Sequence, residues 1–307
     1  MGRSGVMGGS AGLAIVLTIV ACAQLPALGA GGLLHPARHI ARGPAPARCV
    51  DSELEGDDVT LRGWRCRSAM ERPRGTIVYL HGIADNRGSA TGVVQRFTAR
   101  GFDVIAYDSR AHGESGGDAC TYGYFEKRDL HKVVDTIAAA PVILIGTSLG
   151  AAVALQEAAD DPRIAAVVAA ETFSDLRTVA SERAPAFFTR GTIDRSFRLA
   201  EQQGRLRVDA VAPSAAASRI SAPVLLIHGA ADVDTPPAHS ERVFAALPGS
   251  KRLILVPGAR HNQSLNSDDT WKEIELWING VLAAADVGAI AAGKPGAETR
   301  ISRPRNR

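Results

Sequence analysis

"VILIGTSLGAAVAL", residues 142–155, runs from an apolar stretch into a small-residue stretch through Gly146-Thr147-Ser148-Leu149-Gly150. G-x-S-x-G alone is common by chance, so its setting carries the weight. A buried-type strand before it and a helix after it are the context of a nucleophile elbow, a sharp strand-to-helix turn that presents the serine hydroxyl at the helix N-terminus. The spacing has a steric reason. Gly146 and Gly150 remove the Cβ atoms that would collide as strand and helix close, and Ala151 and Ala152 keep the crossing tight.

Outward from the elbow, short apolar runs alternate with helical patterns. "GTIVYLHG" (75–82), "FDVIAYDSR" (102–110), "PVILIG" (141–146), "IAAVVAA" (164–170), "APVLLIHG" (222–229) and "KRLILVPG" (251–258) read as strands. Residues 89–100, 125–140, 238–247 and 270–284 read as helices between or after them. Buried strands alternating with helices predict an α/β fold with a doubly wound, mostly parallel sheet. "VTLRGWRC" (59–66) alternates like an exposed strand. Residues 171–221 interrupt the rhythm and read as a short helical cap within a domain spanning 50–284. In such sheets the chemistry gathers at the carboxyl ends of the strands.

The chain has 307 residues, 46% hydrophobic and 22% charged, with a net charge of +3. That suits one α/β domain. The modest charge, with no interleaving of basic and aromatic residues, argues against a nucleic-acid partner. Residues 285–307 form a basic tail, expected to be a solvated end. At the other end, "AGLAIVLTIVACA" (11–23) is an uncharged apolar run. Ala21-Cys22-Ala23 fits a signal-peptidase site, "IVAC" resembles a lipobox ending at Cys22, and residues 11–34 are long enough for an uncleaved anchor. All three predict an exported or membrane-associated protein through residues 1–34. Arg38, Arg42 and Arg48 after the run, against Arg3 before it, point the other way for an anchor, because the positive-inside rule would leave the domain in the cytoplasm. Cys49 and Cys66 flank a strand-turn-strand pattern and can pair if the domain is exported. No Cys/His cluster has metal-ligand spacing, so neither a metal nor another cofactor is expected.

A serine hydroxyl needs a base. In enzymes with this elbow the acid and then the histidine follow the serine along the chain. His261, in "LILVPGARHNQ" just past a strand end, is the expected base. His239 is expected on a helix surface. His81 and His112 lie on strand-end loops that can shape the site, and His35, His39, His131 and His228 read as structural or solvent-facing. Oxyanion donors are expected from the backbone of Leu149 and, after "IVYLHG", of Ile83. The acid lies among Asp232 and Asp234 in "IHGAADVDTPP", with Glu171 and Asp175 as rivals after the preceding strand.

"YLHGIADN", "YDSRAHGESGG", "GTSLGAAVAL", "HGAADVDTPPAHSE" and "VPGARHN", in that order, resemble the α/β-hydrolase superfamily, with closer similarity to its serine aminopeptidase and monoglyceride-lipase-like branch. The resemblance covers about residues 50–284. It implies the acid at the last position of H-G-x-x-D, which here is Asp232. Asp234 or Thr235 then has a separate explanation, as cap of the helix that Pro236 and Pro237 start. Related dehalogenases and epoxide hydrolases carry aspartate at the nucleophile position, where this chain has Ser148. The resemblance therefore implies a serine hydrolase that cleaves a carboxylic ester or thioester through an acyl-enzyme. A peptidase on the same triad and a non-catalytic binding protein are the alternatives. The expected partner is a small acyl ester or peptide, and the oligomeric state is not legible.

Overall fold

The computed structural model describes residues 24–291. By internal contact the chain divides between Ser264 and Leu265. The first unit holds an eight-stranded sheet in the order β1-β2-β4-β3-β5-β6-β7-β8. The strands are β1 (Cys49–Glu55), β2 (Thr60–Cys66), β3 (Thr76–Leu80), β4 (Asp103–Tyr107), β5 (Val142–Thr147), β6 (Ile164–Ala170), β7 (Val224–Gly229) and β8 (Lys251–Val256). β1 and β2 form an antiparallel hairpin, β2 joins β4 antiparallel, and every other pairing is parallel. The predicted fold class therefore holds. Cys49 and Cys66 are register partners across the hairpin and form a disulfide.

The central strands are buried on both faces, as their continuous apolar runs require. The helices of this unit are α1 (24–34), α2 (Thr91–Ala99), α3 (Glu126–Asp135), α4 (Leu149–Ala158), α5 (Leu176–Glu182), α6 (Arg190–Gly204), α7 (Pro213–Ala217) and α8 (Ala238–Ala246). α4 is buried along its whole length, which suits its glycine, alanine, valine and leucine, and its two buried polar side chains are paired, Gln156 donating to Tyr122 O and Glu157 meeting His131.

Two boundaries differ from the sequence reading. The cap between β6 and β7 consists of α5 and α6, while α7 packs on α4 and α8 in the body of the domain. At the N-terminus, α1 is part of the fold. Ala30 and Leu34 are fully buried in a cluster with Phe173, Leu176 and Phe197 of the cap region. Tyr122 donates its hydroxyl hydrogen to the Leu33 carbonyl at 3.0 Å, and the Cys120 N–H donates to Leu34 O at 2.8 Å. Residues 24–34, read from the sequence as part of a targeting segment, therefore pack with the folded domain. The cleavage motif, the lipobox cysteine Cys22 and the last part of the basic tail lie outside the described residues. Among the described residues no helix is long and apolar enough to cross a membrane.

The second unit contains α9 (Asp268–Ala291), longer than the 270–284 read from the sequence. Asp268 and Asp269 occupy its first turn, where the positive end of the helix dipole favours acids. Asp269 pairs with Lys272 at 2.8 Å.

Candidate active site

β5 ends at Thr147 and α4 starts at Leu149, leaving Ser148 alone at the turn with φ 49° and ψ −111°. For a residue with a Cβ this is strained backbone, of order 1–3 kcal/mol. It is held by Ser148 N–H donating to Ala170 O on the neighbouring strand at 2.8 Å. The flanking glycines are required by contact. A Cβ on Gly146 would lie 2.4 Å from the Gly150 carbonyl carbon, and one on Gly150 would lie 2.1 Å from Leu80 O. Gly146 thus lets strand and helix close, as the spacing predicts, and Gly150 lets the elbow pack directly against the end of β3.

The loop after β8 brings His261 to this serine. Ser148 Oγ lies 3.0 Å from His261 Nε2, and His261 Nδ1–H donates to Asp232 Oδ2 at 2.6 Å. Asp232 follows β7 and is buried. Its other oxygen, Oδ1, accepts from the N–H groups of Asp234 at 3.0 Å and Thr235 at 2.9 Å. Burial alone would raise this carboxyl. Hydrogen bonds from His228 and His261, with the Thr235 N–H and the charge of His261, overcome burial and hold it well below the usual carboxylate range. Asp232 thus stays ionised and fixes the tautomer in which His261 Nε2 can accept the serine proton.

Of the two aspartates, Asp232 meets the histidine and Asp234 does not. The capping role expected for Asp234 or Thr235 is corrected. The N-cap of α8 is Pro237, with no side-chain cap bond. Asp232 Oδ1 instead closes the turn ahead of the helix by accepting from the Asp234 and Thr235 N–H groups. Asp234 is exposed and takes part through its backbone, its carbonyl accepting from Arg183 Nε at 2.8 Å.

The rival acids have other work. Asp175 caps α5 by accepting from Thr178 N–H at 2.8 Å. Glu171 is buried and braces the histidine loop. Its carboxylate accepts from the N–H groups of Asn262, of Gln263 at 3.1 Å and of Ser264 at 2.9 Å. Three residues after His261 are thereby pinned to the end of β6.

The turn after β3 faces the serine from the other side. A Cβ on Gly82 would lie 3.6 Å from Ser148 Cβ, so Ile83 begins at the edge of the site. Neither Ile83 N–H nor Leu149 N–H has a hydrogen-bond partner among the described residues. His81 locks the turn. Its Nδ1–H donates to Gly82 O at 2.7 Å, and its Nε2 accepts from Ser109 N–H at 2.9 Å. Burial lowers its pKa and favours the neutral ring that this pattern needs. His112 stands edge-on to it, with ring centroids 5.2 Å apart.

Three participants have roles that the sequence did not assign to them. His228, buried at the end of β7, donates Nε2–H to Thr235 O at 2.7 Å and lies 3.3 Å from Asp232 Oδ2. Its spacing of four residues from Asp232 within H-G-x-x-D was the available signal. Glu171 was visible only as a rival acid. Arg183, just past α5, reaches from the cap to Thr235 Oγ1, and its Nη2 lies 3.4 Å from His261 Nε2. No local pattern marks it. His239, expected on a helix surface, is buried, with Ser174 Oγ at 2.8 Å and Glu182 Oε2 at 2.8 Å, tying α8 to the cap. Away from the site, His131, Glu157 and Asp161 bring three possible metal-ligand atoms within 4.8 Å of one another. Arg163 already donates to both Asp161 oxygens, leaving little free donor capacity.

A family model described as serine aminopeptidase S33 matches residues 71–212. The uncharacterized protein YfhR of Escherichia coli K12 is 29% identical over 231 residues, covering 71% of this chain and 75% of that protein. A monoglyceride lipase homolog of monkeypox virus is 26% identical over 117 residues, covering 36% of this chain and 41% of that one. Among solved structures, the Pyrococcus furiosus esterase Pf2001 superposes with a TM-score of 0.64 at 22% identity, covering 81% of this chain and 98% of that one. Sheet order, elbow and these likenesses agree on an α/β-hydrolase fold, with similarity to the serine aminopeptidase and monoglyceride-lipase-like branch.

Proposed function

We propose that this protein is a serine hydrolase of carboxylic esters or thioesters. Ser148 Oγ attacks the acyl carbon as His261 Nε2 takes its proton, and Asp232 stabilises the imidazolium through Nδ1. The carbonyl oxygen becomes an oxyanion between the N–H groups of Ile83 and Leu149. The tetrahedral intermediate collapses, the leaving group takes the proton from His261, and an acyl-Ser148 ester remains. Water, activated by the same histidine, then releases the acid and restores the hydroxyl. The observation that carries this reading is the Ser148–His261–Asp232 chain of hydrogen bonds at 3.0 and 2.6 Å beside two unpartnered backbone donors.

The aminopeptidase name of the family model makes a peptidase the second reading. An aminopeptidase needs an anion for the substrate ammonium, and among the described residues the cavity beside the site is lined by no carboxylate and by one charged residue, Arg183. That favours the ester. The test is hydrolysis of p-nitrophenyl acetate and of aminoacyl p-nitroanilides by the wild-type, Ser148→Ala and His261→Ala proteins, with folding checked by circular dichroism. Ester turnover lost in both variants is expected. Wild-type turnover in Ser148→Ala would sink the proposal. The apolar run 11–23 and the Cys49–Cys66 disulfide support an exported or membrane-attached protein. Mass spectrometry of the mature N-terminus together with cell fractionation checks this, and an intact Met1 on protein found only in the soluble cytoplasmic fraction would refute it.

A further inference from the structure

A cavity beside the site has a wall that no strand or cap helix supplies. Its volume is about 520 Å³, within the range of small-molecule pockets. One side is the cap, including Val179, Phe187 and Phe188, and the other is α1, including Leu25, Leu28 and Gly32. Ile83 and Arg183 also line it. Ile83 is the proposed oxyanion donor next to Ser148, and Arg183 touches the edge of His261. A carbonyl held at Ile83 therefore has its acyl chain at the entrance of an apolar chamber.

From this geometry we infer that the chamber is the acyl site, that α1 is its outer wall, and that Gly32 sets the length of chain it admits. The inference rests on the ester-hydrolase reading above. The glycines of α1 differ in a way that assigns these roles. A Cβ on Gly29 would lie 2.3 Å from Ser196 Oγ, so Gly29 lets the helix approach α6 closely. A Cβ on Gly32 meets nothing within 4 Å, and Gly32 lines the chamber. On this inference a side chain added at Gly32, which meets no protein atom at its root, extends into the open space of the chamber. Gly31 is equally unobstructed but does not line the chamber. It supplies a control at the neighbouring helix position. Glycine within a helix costs roughly 0.8–1 kcal/mol against alanine, so neither substitution is expected to weaken α1.

The chemistry selects the substrate class. Apolar walls on two sides, aromatic rings at Phe187 and Phe188, and no carboxylate suit an aliphatic acyl group. Each methylene buried raises kcat/KM roughly fourfold as long as the chamber has room. The substrate class is thus an ester or thioester of an aliphatic carboxylic acid longer than acetate, recognised by its hydrocarbon.

The test is a series of p-nitrophenyl esters, from acetate through butyrate and octanoate to dodecanoate, on the full-length wild-type, Gly32→Leu and Gly31→Leu proteins. The wild type should favour octanoate over acetate in kcat/KM. In Gly32→Leu the octanoate-to-acetate ratio should fall about tenfold or more, the loss of roughly two buried methylenes. Gly31→Leu should keep the wild-type ratio. Calorimetric binding of dodecanoate to Ser148→Ala protein gives a readout without turnover, and adding Gly32→Leu should weaken it about tenfold. Wild-type protein that cleaves acetate as well as octanoate, or a Gly32→Leu ratio equal to wild type, overturns the inference while leaving the serine-hydrolase reading intact. Failure of that reading looks different: no ester is cleaved by the wild type at all.

Discussion

Glu171→Gln separates the proposed brace from the rival catalytic acid. The Glu171 carboxylate is 1% exposed and accepts three consecutive backbone N–H groups, those of Asn262, Gln263 and Ser264. Hydrogen bonds to a charged acceptor contribute roughly 1.5–3 kcal/mol each, and a buried donor left unpaired costs about 1–3 kcal/mol. A glutamine presents one carbonyl oxygen, which accepts two of the three, and turns an NH₂ group toward the third. The expected loss of stability is therefore about 2–4 kcal/mol, measured by urea unfolding followed through tryptophan fluorescence. The loop it releases begins at His261. A displacement of about 1 Å from reacting geometry costs on the order of 10²-fold, so kcat for p-nitrophenyl butyrate should fall about 10–100-fold with KM within about twofold. Two results would refute the reasoning. Unchanged stability and kcat would mean that something else holds the loop. A loss near 10⁴-fold with stability intact is the signature of a triad acid, and Glu171 would then replace Asp232.

Other outcomes follow from the same geometry. Asp232→Asn removes the acceptor that fixes the His261 tautomer, and kcat should drop about 10⁴-fold. Asp234→Asn changes an exposed side chain whose backbone makes the contacts, so activity should stay within about twofold and stability within about 0.5 kcal/mol. A cap-sized loss there would restore the role read from the sequence. Burial, helped by the neighbouring His81, lowers His112 from 6.5 to about 4. A histidine depressed in the folded state contributes stability that is complete above its unfolded value and is lost as pH falls toward the folded one. Between pH 7 and pH 5 this amounts to about 2 kcal/mol. The unfolding curves of wild-type and His112→Gln proteins should diverge by that amount over this window, and parallel curves would contradict it.

The fold was legible because its signals are local. Each central strand is an unbroken apolar run, and the elbow needs two glycines and a serine at fixed spacing, which five consecutive residues display. His261 was legible for a similar reason, since it follows a strand end in the only position after the acids that a loop can present. What escaped depends on loop paths rather than composition. Asp232 was marked over Asp234 by the H-G-x-x-D resemblance and not by the chemistry of its immediate neighbours. The distinction arises when the turn after β7 folds back so that Oδ1 caps the two following N–H groups and Oδ2 faces the histidines. Glu171 looked like a spare acid because its partners lie more than ninety positions away. α1 was hidden by its own composition. An apolar, glycine-rich stretch after a longer apolar run reads as part of a targeting segment, and only the pairing of Ala30 and Leu34 with the cap shows what the apolar face covers.

The central claim is that Ser148 is a nucleophile activated by His261. Treating the full-length protein with a fluorophosphonate, digesting it and sequencing the modified peptide by mass spectrometry tests this at a single atom. The account predicts one stoichiometric adduct on Ser148 at neutral pH, slowed by orders of magnitude in His261→Ala. Folded wild-type protein that takes no label, or carries it on another serine, would contradict it.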